Sequence, residues 1–148
     1  MWKAAIAVGA VVLAVGAATA ATVADDPIEA RQTLMKNVGS AMQVAGNMAR
    51  GETEFEPRAA HMAMRTINSS IIGAMELFPE GTDSGDTRAL PEIWDNMDDF
   101  LAKAEALREA SQAAIDAEPQ DLDSFRPLVA DVGNNCSACH EDYRRPED

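Results

Sequence analysis

The chain contains two cysteines and two histidines, and three of these four residues stand together near its carboxyl end as Cys136-Ser137-Ala138-Cys139-His140. Thiols one helical turn apart can each add to a vinyl group of a porphyrin, while the imidazole that follows is carried under the iron as an axial ligand. One pentapeptide thus supplies two covalent bonds and one coordinate bond. The chemistry it predicts is a single covalently attached haem c with its iron. Other chemistries suit the residues less well. Structural zinc wants four Cys or His ligands, and the remaining histidine, His61, is solitary. A thioredoxin-like redox pair expects a βαβ setting that the chain does not offer. A disulfide between cysteines one turn apart on a continuous helix is geometrically poor and leaves His140 unexplained.

Such a motif must ride on a helix, and helical periodicity dominates the sequence. A first helix opens at Asp26-Pro27, with Asp26 as N-cap and Pro27 at the first helical position, and fades near Gly51. Its apolar stripe runs Ile28, Met35, Val38, Met42, Ala45, Ala49. A second is predicted from about Pro57 to Phe78-Pro79, striped by Ala60, Met64, Ile67, Ile71, Ala74 and Phe78. The polar, glycine-containing stretch 80–87 reads as an ordered crossover loop. A third helix is predicted from Pro91 to about Ala117 on Ile93, Met97, Phe100, Ala104, Leu107 and Ala114, with Pro119 just past its end. The fourth begins near Asp121 and aligns Phe125, Val129, Val132, Cys136, Cys139 and Tyr143 on one face. The predicted fold is all-α, an antiparallel up-and-down four-helix bundle with the haem on its last helix.

The amino end reads differently. Met1-Trp2-Lys3, an Ala/Val-rich run to about Ala17 and then Ala18-Thr19-Ala20 have the basic start, apolar middle and small-residue exit of a secretory signal peptide. Residues 1–20 are therefore read as a cleavable leader and residues 21–148 as one bundle domain. An uncleaved anchor is the competing reading, because about 20 apolar residues can span a bilayer. Export to the periplasm agrees with covalent haem, which is attached outside the bacterial cytoplasm. The formal net charge is −13, with every acidic residue after the leader. That disfavours nucleic acid and anionic membranes as partners and suits a basic protein surface.

Taken together, the leader, the four helices and a Cys-x-x-Cys-His close to the end resemble the cytochrome c′ family. The likeness rests on Ala30-Arg31-Gln32 with Lys36 and Gly39, on Leu77-Phe78-Pro79 with Gly81-Thr82, on Ile93-Trp94-Asp95-Asn96-Met97-Asp98-Asp99-Phe100, and on Cys136 through Arg144. In that family the position four residues after the helix-one arginine faces the open side of the iron, and here it is Met35. The less common low-spin branch has methionine there as the sixth ligand. The resemblance therefore implies a one-electron carrier with His140 and Met35 as axial ligands, turning over no substrate. The rival it also implies is a five-coordinate protein binding nitric oxide or another diatomic gas, with Met35 as pocket lining. From spacing alone Met35 is as well read as core filling, since Met42, Met64 and Met97 lie on comparable stripes.

Two arginines complete the expected site. Arg144 lies four residues after His140, so its guanidinium can approach the imidazole or a propionate; Arg31 looks like the family's propionate-binding arginine. His61 reads as a surface residue and Trp94 as packing at a bundle end. Redox partner proteins are implied, and the resemblance leaves open a homodimer through the first two helices.

Overall fold

The computed structural model describes residues 26–146, so the leader expected at 1–20 lies outside the described residues. Five helices follow one another: α1 (Pro27–Arg50), α2 (Pro57–Met75), the single turn α3 (Glu92–Asp95), α4 (Met97–Asp116) and α5 (Leu122–Tyr143). The four long ones form a closed ring in which α1 packs on α2, α2 on α4, α4 on α5 and α5 on α1. This is the four-helix bundle that the sequence predicts. The α1–α5 seam is the most sparsely packed of the four.

Local signals set the helix ends. The Asp26 carboxylate accepts from the backbone N–H groups of Ile28 and Glu29 at 2.8 and 3.2 Å, and Gly51 closes α1 at φ 76°, a left-handed conformation that favours glycine. Glu56 caps α2 by accepting from Ala59, and Asp121 caps α5 by accepting from Ser124. Inside the ring, the main core gathers Val38, Ala45, Met64, Ile67, Leu107, Phe125, Val129 and Val132. A smaller cluster at one end joins Ile93, Phe100 and Tyr143 with Phe78, Trp94 and Cys139. Among the described residues no helix is long and apolar enough to cross a membrane.

Two expectations need correction. Helix α2 stops at Met75 rather than running to Phe78, because a residue before proline is pushed out of the α region. The Phe78 ring instead packs edge-on against Phe100 at 4.6 Å. The helix expected from Pro91 to Ala117 breaks at Asn96, whose backbone leaves the helical region at φ −131°, ψ 44°. Its side chain donates to Glu92 O, and the Trp94 indole N–H turns back to Phe78 O and Pro79 O. These bonds hold α3 as a separate turn at an angle that serves the aromatic cluster.

Candidate haem site

Helix α5 carries the whole pentapeptide. Cys136 and Cys139 are free thiols, each half-buried, and they face two different environments. Cys136 packs against the main core, as Met35 of α1 also does. Cys139 packs against the aromatic cluster. Burial pushes the Cys136 thiol up, and it pushes Cys139 up to about 11 against the opposing charge of Lys103.

His140 is half-buried one residue further on. Its pKa is lowered, first by burial and then by the positive charges of Arg144 and Arg88, so the neutral imidazole that can ligate a metal is favoured. Arg144 NH1 lies 3.4 Å from His140 Nδ1, as the four-residue spacing anticipates. His61, by contrast, sits half-buried on α2, the diagonal neighbour of α5.

Arg31 is enclosed by the fold rather than set on its surface. It is 3 % exposed, and its four terminal N–H groups are all engaged. NH1 donates to Leu77 O and Thr82 Oγ1 at 3.2 and 2.9 Å, and NH2 donates to Thr82 O and Thr87 Oγ1 at 2.6 and 3.0 Å. The guanidinium carbon also lies 4.8 Å from the centroid of Phe78 and 5.6 Å from that of Trp94. Burial lowers its pKa, partly offset by the charge of Asp26, yet a guanidinium stays protonated. Among the described residues its partners are carbonyls, hydroxyls and rings.

Residues to which the sequence assigned no role in the site complete the surroundings. Thr82, Thr87 and Arg88 come from the loop between α2 and α3, which runs as a strap over this end of the bundle. Arg88 Nε and NH2 both donate to Arg145 O. Tyr143 donates its phenol to Asp99 Oδ2 at 2.6 Å, and Lys103 Nζ lies 3.0 Å from Asp142. Thr82, Asp99, Asp142 and Tyr143 lie within the stretches that carry the family likeness, and Tyr143 on the stripe of the last helix, but neither signal names a partner.

The donor set agrees with haem rather than a bare ion. Among the described residues no three His, Cys, Asp or Glu side chains gather to hold a metal, so an iron here has to bring most of its own ligands, as a porphyrin does. Paired thiols and an adjacent imidazole on one helix supply the attachment points and one ligand that such a group needs.

Comparison with known proteins agrees with this geometry. Residues 26–144 match the family described as Cytochrome C′. The chain is 32% identical to cytochrome c-556 of Agrobacterium fabrum over 117 residues, covering 79% of this chain and 80% of that one. It is 34% identical to cytochrome c′ of Rhodopseudomonas palustris over 140 residues, covering 92% and 91%. The solved structure of cytochrome c′ from Rhodopseudomonas palustris superposes with a TM-score of 0.79 at 29% identity, covering 83% of this chain and 98% of that one.

Proposed function

We propose that this chain, which belongs to the cytochrome c′ family, is a periplasmic carrier of single electrons that turns over no substrate, with Met35 and His140 as the axial ligands of its haem c. What supports the ligand assignment is that α1 adjoins α5 and that Met35, partly buried against the main core as Cys136 is, stands at the position where the family's low-spin branch has its methionine ligand. When bound, the haem supplies a one-electron ferric/ferrous couple.

The chain's own residues then divide the work. Cys136 and Cys139 fix the group to α5. His140 offers Nε2, so Nδ1 carries the proton and the approach of Arg144 becomes Coulombic rather than a hydrogen bond. Positive charge beside this imidazole favours the reduced state. The Met35 thioether, a soft donor, favours ferrous iron and closes the open side against diatomic gases. Arg31 keeps Nε–H for a propionate, whose negative charge would offset the buried cation.

The strongly acidic chain fits a partner with a basic docking surface. The α1–α2 face supports a homodimer. Val44 and Met62 are 47 % and 55 % exposed there, beside Ala41, Ala59 and Ala63 in a shallow apolar groove.

Absorption spectra of the purified holoprotein test the ligand assignment. Wild type is expected to be low-spin when oxidised, with a sulfur-to-iron charge-transfer band and little carbon monoxide uptake. Met35→Ala is expected to turn it high-spin, open it to carbon monoxide and lower its potential. High-spin wild type that takes up carbon monoxide freely would overturn the assignment in favour of gas binding.

A further inference from the structure

Thr87 belongs to neither the haem motif nor any helix stripe, yet it stands where the two halves of the site are joined. Its side chain is 8 % exposed. The hydroxyl accepts from Arg31 NH2 at 3.0 Å and from the backbone N–H of Ala89 at 3.2 Å. On the other side its carbonyl meets Arg145 NH1 at 3.5 Å. The residues after it are stitched to the end of α5: Arg145 N–H donates to Arg88 O at 2.8 Å, and Leu90 N–H donates to Tyr143 O at 3.0 Å. The strap is thus bonded to α1 one turn before Met35, and to α5 three residues beyond His140.

The α1–α5 seam is sparsely packed, so direct contact between these helices does little to fix their separation at the ligand end. A bonded bridge can do what packing does not. Of the strap's attachments to α1, the Arg31–Thr87 bond is the one next to the segment tied to α5. The remaining ones end on Leu77, Thr82 and, through the Gln32 amide, Asp86 O. Arg31 and Met35 share a helix face, being four residues apart, so a shift of the guanidinium is carried to the methionine.

We infer that Thr87 is a positioning residue that, through Arg31, holds Met35 within reach of the iron. This rests on the reading of Met35 and His140 as axial ligands. Carbon monoxide binds only where the methionine is off, so its apparent association rate follows the fraction of molecules in that open state. Removing the hydroxyl leaves a buried charged N–H without its acceptor and loosens the bridge. The open fraction should then rise.

The test uses full holoprotein carrying Thr87→Val, which keeps side-chain volume, and Thr87→Ser, which keeps the hydroxyl. Carbon monoxide association by stopped flow is expected to quicken about tenfold or more in the valine variant, from the loss of one charge-assisted bond. The sulfur-to-iron band should weaken in parallel, and serine should restore both. Should valine prevent assembly, Thr87→Ala read by the same two signals decides. A valine variant that melts lower but keeps the wild-type band and a rate within about twofold of wild type makes Thr87 a packing residue and overturns the inference. Wild type that lacks the band and binds carbon monoxide freely removes the ligand to be positioned. In that case the inference falls with the Met35 reading, and the wild-type spectrum alone reveals it.

Discussion

Replacing Arg31 by methionine probes how a buried cation whose protein hydrogen-bond partners among the described residues are carbonyls and hydroxyls stabilises this bundle. The substitution keeps an unbranched side chain of similar reach and removes every donor. Four acceptors lose a bond, but they are not equally affected. Thr82 Oγ1 still donates to Pro79 O, and Thr87 Oγ1 still accepts from Ala89. Among the described residues the carbonyls of Leu77 and Thr82 have no such second partner, so each lost bond costs about 1–3 kcal/mol. Against this, a neutral side chain no longer has to be desolvated as an ion. The balance should be a loss of about 2–4 kcal/mol, which for a domain of this size lowers the melting temperature by about 8–16 °C. Thermal unfolding of the holoprotein, followed by far-ultraviolet circular dichroism and by the Soret band, gives the answer. Arg31→Lys keeps a charge and three donors without the planar fork, so it should fall between methionine and wild type. A methionine variant that melts within about 2 °C of wild type would show that the four bonds only replace those made with water.

The remaining predictions concern the core and the alkaline limb of stability. Phe125 is fully buried and its ring lies 5.4 Å from that of Phe55, so Phe125→Ala should destabilise by about 3–5 kcal/mol in denaturant titration; a loss under about 1 kcal/mol would mean that the bundle closes over the gap. The Tyr143 phenol is pushed up to about 12, first by its hydrogen bond to Asp99 and then by burial. A pKa raised on folding gives stability that is complete below the unfolded value near 10 and is lost as pH climbs through the folded one. Denaturation midpoints should therefore fall between about pH 10 and 12 in wild type, and Tyr143→Phe should lose that component of the slope. Equal slopes in the two proteins would count against it.

What local pattern could reveal and what it could not are separated by distance along the chain. The haem motif was legible because its chemistry is contained in five consecutive residues. The four amphipathic stripes were legible because each helix buries one face, and Val38, Ala45, Ile67, Leu107 and Val132 are buried as the periodicity requires. Arg31 was a different case. Its burial is made tolerable by acceptors 46 to 56 residues away, and no window around position 31 contains them. The resemblance marked the residue, but its bonds to the strap needed the fold. The same limit explains the break at Asn96, where an unbroken stripe through Ile93, Met97 and Phe100 fits one helix well. Trp94 bonds carbonyls 15 and 16 residues earlier, and that long-range demand outweighs the local preference for continuing the helix.

Residue size differs around the ring. Ala41 and Ala45 of α1, Ala60 and Ala63 of α2, and Ala104 and Ala114 of α4 are all buried, so small side chains let α1, α2 and α4 approach closely. On α5 the buried positions are the larger Phe125, Val129, Val132 and Tyr143, and α5 still packs closely on α4 while its seam with α1 is the sparsest of the four. At Gly133 of α5 an added Cβ would meet Met42 Cε at 3.8 Å, an ordinary contact, so glycine is not what sets that seam. With packing so sparse along it, the separation of α1 and α5 at the ligand end is left for something else to set. The strap, bonded to Arg31 on one helix and to the end of α5 on the other, is the element in a position to set it.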